Sequence, residues 1–194
     1  MPTVAPVESA SEANIVPADP RAVCNLILDD AGPNRPLTNM ALQKLLYFAH
    51  GVHLIQTKRA LVTGYFEAWQ YGPVHPLAYM AFRDAGKMPI RFRAKKRDPF
   101  TGQLSELVNP ADQSVLNCVR GVVLAYAGLS PSRLVQLSHA PEAPWRVTVD
   151  KARTSMAFGL RIADIVILDR FKYHKVSMQH LAASGEQIED TPFA

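Results

Sequence analysis

Cysteine is scarce in this chain: Cys24 and Cys118 are the only two in 194 residues. One possible pair cannot staple a disulfide scaffold. Both sit among Val, Leu and Ile, which suits small buried hydrophobes in a reduced, cytoplasmic protein. Long apolar runs are also missing. None approaches the ~20 residues that a membrane-spanning helix needs, so no membrane partner is expected. The opening MPTVAPVESASE lacks the basic and apolar regions of a secretory signal. There is no glycine-rich phosphate loop, no dinucleotide fingerprint and no Gly-x-Ser-x-Gly elbow. An enzyme has no constellation to stand on, and neither catalytic residues nor cofactors are expected. No internal repeat or second domain is visible.

What is present reads as a mainly α fold with a small antiparallel β element: one compact helical bundle with a short strand or hairpin. Hydrophobic residues are 48% of the chain, enough to bury a core. The net charge of +4 permits nucleic-acid contact without arguing for it. Residues 1–18 show no period and are expected to be a mobile tail. The folded domain is expected over 19–176, with a polar tail over 177–194.

Helix signals are local and clear. Asp19-Pro20 is a cap followed by proline at the first helical position, and Val23, Leu26 and Ile27 keep helical spacing up to Gly32-Pro33. Thr38 caps a second helix. On it Leu42, Leu45, Leu46, Ala49 and His53 form an amphipathic stripe, with Gln43, Lys44 and Tyr47 off it. Later, Asn109-Pro110 opens a helix carrying Val115, Val119, Val122, Val123 and Tyr126. Ser130-Pro131 opens another with Leu134, Leu137 and Ser138. Trp145 is expected to plug the core. Over Ile162 to Phe171 the β-branched run favours a strand and the spacing a helix; we read it as helix.

The middle of the chain changes conformation most often. Gly64 allows a turn, Tyr65 to Gln70 reads as a strand, and Gly72-Pro73 is expected to stop it. His75-Pro76 then opens a helix with Leu77, Met80 and Ala81 on one side. Trp69, Tyr71 and Tyr79 surround this corner. It reads chiefly as a packed structural element; the sharper alternative is a rigid surface on which another protein docks. After Gly86, Pro89 to Lys95 alternates as a strand. Asp98 to Gly102 has hairpin-turn composition, and Gln103 to Val108 would return. Two strands alone are marginal, so this hairpin should lean on the helices or pair with Tyr65 to Gln70.

Candidate sites are few. His50 and His53 stand three apart on a helix and His75 could lie near, but no acidic residue joins them at ligand spacing. Arg91, Arg93, Lys95, Lys96 and Arg97, with Phe92 among them, make a basic face. It could contact phosphates, as in a nucleic-acid-binding regulator. It reads first as a charged edge strand that resists aggregation; a third reading is that it meets an acidic protein.

Three segments carry a family resemblance. They are Leu42 to Gly51 (LQKLLYFAHG), Phe66 to Val74 (FEAWQYGPV) and Tyr79 through Phe82-Arg83, followed by His139 and Pro144-Trp145. In this order they resemble the Panacea domain family of SocA-like antitoxins, over about Asp19 to Phe171. The resemblance implies a protein encoded beside a toxin that it binds and neutralises. In one mode it implies a proteolytic adaptor that hands the toxin to the ClpXP protease; in others, direct complex formation. It implies no catalytic residues. For partner contact we expect Tyr47, Tyr71, Val74, Arg83, Arg91, Arg93 and Lys95, because Tyr and Arg most often dominate interfaces.

Overall fold

Capping residues set most of the helix starts. The computed structural model describes residues 16–153 and 160–174. Helix α1 (Pro20–Ala31) begins at Asp19, whose carboxylate accepts from the Arg21 N–H at 2.8 Å. Helix α2 (Asn39–Thr57) begins at Thr38, whose hydroxyl accepts from the Ala41 N–H. Strands β1 (Phe66–Trp69) and β2 (Gly72–Val74) follow, then helix α3 (Pro76–Phe82). A separate pair, β3 (Lys95–Arg97) and β4 (Leu104–Glu106), precedes helix α4 (Gln113–Tyr126). Helices α5 (Pro131–Ser138) and α6 (Pro144–Arg153), strand β5 (Arg161–Ile162) and helix α7 (Asp164–Arg170) complete the order. This is the expected α+β class. Among the described residues no helix is long and apolar enough to cross a membrane.

Helix α2 is the axis, and it differs from the stripe expected of it. Every residue from Ala41 to Gly51 is buried, including Gln43, Lys44 and Tyr47. The reason is enclosure: α1, α4, α5, α7, α3 and β2 all pack on it. A helix covered on all sides is a core element, whatever its apolar period. Gly51 is where α2 admits its closest neighbour, since a side chain there would overlap the Phe171 ring. Around α2 the rings of Tyr47, Phe48, Phe66, Tyr126 and Phe171 meet at 5.0 to 6.4 Å.

Gly72-Pro73 does not end the strand. The chain reverses at Gln70-Tyr71, and Gly72 and Pro73 belong to the returning strand, with Ala68 opposite Pro73 and Trp69 opposite Gly72. Sheet order β2-β1-β5 leaves β2 at an edge, where a residue without an N–H is tolerated. Gly72 has φ +95°, and a side chain there would collide with Ser138 Oγ. The face expected of α3 also differs. Leu77 and Met80 are exposed, whereas Ala78 and Phe82 are fully buried and dock the helix on α1 and α2.

The strand expected over Pro89 to Lys95 is regular only from Lys95. Before it, a helix side chain replaces the missing strand partner. The Asn25 amide donates to the Ala94 carbonyl and accepts the Ala94 N–H, both at 2.9 Å. The β3–β4 hairpin turns at Asp98 to Gly102 as expected but does not join the β1 sheet. Helix α4 starts after the Asp112 cap rather than at Asn109-Pro110. The Ile162 to Phe171 segment is helical after a short strand. Ala18, placed in the tail by sequence, bridges to the chain at Val62 through hydrogen bonds of 2.9 Å to Leu61 and Thr63. The rest of the expected tails, residues 1–15 and 177–194, lies outside the described residues.

Candidate partner-binding surface

The structure divides the seven residues expected to touch a partner. Tyr47 is fully buried; its hydroxyl lies 3.0 Å from His174 Nε2 and its ring packs edge-on against Phe66. Val74 is buried in β2. Neither presents its side chain at the surface of this fold. Tyr71 is exposed at the tip of the β1–β2 hairpin, and Arg83 is exposed at the end of α3 beside Asp84. Arg91, Arg93 and Lys95 are exposed on the run into β3.

The basic run is partly neutralised from within. The Arg93 guanidinium pairs with Asp29 on α1 and reaches Asn109 Oδ1 at 3.2 Å. Lys95 pairs with Glu106 on β4 at 2.8 Å. Arg91, Lys96 and Arg97 form no ion pair among the described residues. Phe92, which the sequence places within the run, is exposed, and sequence reasoning missed the other apolar side chains beside it: Met88, Phe100, Leu104 and Val108 are exposed too. The available signal was Leu104 and Val108 in a hairpin too small to bury them.

Inside, the polar groups are arranged for packing. Lys44 Nζ donates to the Pro73 carbonyl at 2.9 Å, and burial pushes its pKa down to about 7. His139 stacks on Trp145 at 3.7 Å; burial, then the charges of Lys44 and Arg146, push it down to about 4. Trp145 donates its indole N–H to the Trp69 carbonyl at 2.8 Å, so it closes the core as expected. His174 donates to the Leu137 carbonyl and is pushed down to about 4, chiefly by burial.

The three histidines weighed as metal ligands are tied to different partners. His50 faces Asp164 at 3.1 Å, His53 the Arg59 carbonyl at 3.0 Å and His75 the Thr63 carbonyl at 2.8 Å. Among the described residues no three His, Cys, Asp or Glu side chains are grouped to hold a metal. Burial raises the Cys24 thiol strongly and the Cys118 thiol to about 11, far from a reactive thiolate. The groove between α2 and α4, lined by Val52, Gln56, Ser114, Asn117, Cys118 and Tyr126 among others, offers no carboxylate or histidine.

The family described as Antitoxin SocA-like, Panacea domain, matches residues 42–146, a span that contains both the α2 core and the β3–β4 hairpin. Antitoxin SocA from Caulobacter vibrioides (strain NA1000 / CB15N) is 44% identical over 175 residues, which cover 90% of this chain and 93% of that protein. No solved structure matches the chain. On the family match and on this near full-length identity, the chain belongs to the SocA-like Panacea domain family.

Proposed function

We propose that this protein is an antitoxin that binds a cognate toxin protein and neutralises it. The observation that carries the reading is the 44% identity to Antitoxin SocA across 90% of the chain. A packed interior beside an exposed basic and apolar hairpin supports protein capture over bond-making. The finer reading is an adaptor that delivers the bound toxin to ClpXP in the cytoplasm, the mode that the family resemblance implies. The surface residues to test first are Tyr71, Arg83, Arg91, Arg93 and Lys95.

Co-expression with the toxin encoded beside it tests the reading. The two products are expected to copurify, and growth arrest by the toxin to be relieved. Failure of both would overturn it. Reconstituted ClpXP tests the adaptor step. Toxin degradation should be faster with this protein than without it; equal rates would leave neutralisation by sequestration alone. The nucleic-acid reading is the weaker one, because Arg93 and Lys95 are already held by carboxylates of the same chain.

A further inference from the structure

The β3–β4 ribbon has a fixed root and a free blade. At the root, Asn25 brackets Ala94, Asp29 holds Arg93, and Leu107 packs on the core. Beyond it all six strand residues are exposed. Lys95 stands opposite Glu106, Lys96 opposite Ser105 and Arg97 opposite Leu104. The Asp98 N–H donates to the Gln103 carbonyl at 2.9 Å, which fixes the phase of the ladder. Antiparallel pairs alternate, so Lys96 and Ser105 bond inward. Lys95 and Arg97 turn their N–H and C=O groups to the open edge of β3, and Leu104 and Glu106 do so on β4.

An open edge is normally shielded, because it templates another strand. Lysine and arginine alone could serve as that shield. Here the shield is incomplete: Phe100, Val108 and Leu104 are 95%, 90% and 61% exposed on the same ribbon. Exposed apolar groups interleaved with unpaired cations are the composition of a protein interface rather than of a deterrent. The chemistry also favours carboxylates over phosphates. Asp29 and Glu106 show the geometry in which this run binds carboxylates. Phe100, Leu104 and Val108 would gain nothing from a sugar–phosphate backbone.

We infer that the edge of β3 receives an extended, acidic segment of the partner protein, which adds as a third strand. Its backbone pairs with the outward groups of Lys95 and Arg97. Its carboxylates meet Arg91, Lys96 and Arg97, and its apolar residues cover Leu104 and Phe100. Edge β3 is chosen over β4 because Glu106 would repel the same segment. This inference rests on the antitoxin reading, with the toxin as the protein that supplies the segment.

The test uses the full chain and its copurified toxin. Charge reversal at Lys96→Glu and Arg97→Glu together is expected to weaken toxin binding roughly tenfold or more, and wild-type binding should weaken as salt rises. Lys95→Pro removes an outward N–H without breaking an inward bond, and should weaken binding well beyond Lys95→Ala. Should the reversed ribbon melt early, Leu104→Asn serves instead, with the same expected direction. If the wild-type chain binds no toxin, the antitoxin reading fails and takes this inference with it. If wild type and every ribbon variant bind the toxin equally, the inference is overturned and the antitoxin reading stands. Equal loss for Lys95→Pro and Lys95→Ala overturns strand addition. Duplex DNA retained by wild type and lost on charge reversal, with toxin binding unchanged, replaces the acidic segment by nucleic acid.

Discussion

Lys44 and Lys96 carry the same side chain into opposite settings. Lys44 lies on α2 inside the family motif, with 1% of its surface exposed and one carbonyl as its partner. Lys96 lies on β3, exposed on a ribbon whose every strand residue faces solvent. The first is held by packing and acts on stability; the second is free to meet another molecule. The comparison teaches that the motif which identifies this family is chiefly scaffold. Leu42 to Gly51 is entirely interior, and Phe66, Gly72, Pro73 and Val74 are interior too. Recognition must then rest on what the scaffold carries outward.

The hardest way to break the scaffold is to open its centre. Phe48→Ala removes a ring that touches Tyr47, Tyr126, Phe171 and His174. It should cost about 3–5 kcal/mol, read as a large fall in the denaturation midpoint. An undiminished midpoint would mean that α2 is not the axis.

Lys44→Met sharpens the comparison by removing the buried cation. The change spares the cost of a buried cation but leaves the Pro73 carbonyl without its donor, so the net shift in stability should be small. The pH dependence gives the more specific readout. Lys44 titrates near 7 in the fold against 10.5 ordinarily, so between those values the unfolded chain binds more protons and stability rises with pH. His139 and His174, at about 4 against 6.5, act in the same sense at lower pH. Wild-type denaturation midpoints should therefore climb from acid conditions to about pH 9, above which the raised Cys24 and Cys118 thiols act in the opposite sense. In Lys44→Met the alkaline part should flatten while the acid part remains.

Gly72→Ala should cost about 1–3 kcal/mol, since φ +95° is strained for alanine and Ser138 blocks the side chain. A thermal melt checks it. The smallest effect on stability belongs to the ribbon. Lys96→Ser and Arg97→Ser should each stay within about ±0.5 kcal/mol, because both are exposed and neither has an ion-pair partner among the described residues. A large loss at either would contradict the division between scaffold and surface.

Much of the fold was legible because its signals are local. Asp19, Thr38 and Ser130 cap helices, and Pro20, Pro76 and Pro131 start them, with no reference to distant residues. Apart from the start of α4, which a local cap at Asp112 decides, the errors share a physical origin: burial and edge position are set by partners far along the chain. Lys44 is covered by β2 and α5, which come later in the chain. Pro73 is acceptable in a strand only because β2 has no neighbour on its far side. Tyr47 was chosen as a contact by residue type, and its hydroxyl partner, His174, is 127 residues away. The ribbon's cations were readable in sequence. Their neutralisation by Asp29 and Glu106, and the exposure of Phe100 and Val108, were not.

Amide hydrogen exchange, compared between the protein alone and the protein saturated with its toxin, tests the division most directly. The account predicts new protection over residues 88–108, centred on Lys95 and Arg97, while residues 42–51 are slow in both states and change little. New protection confined to other surfaces, with the ribbon exchanging as fast as before, would contradict it.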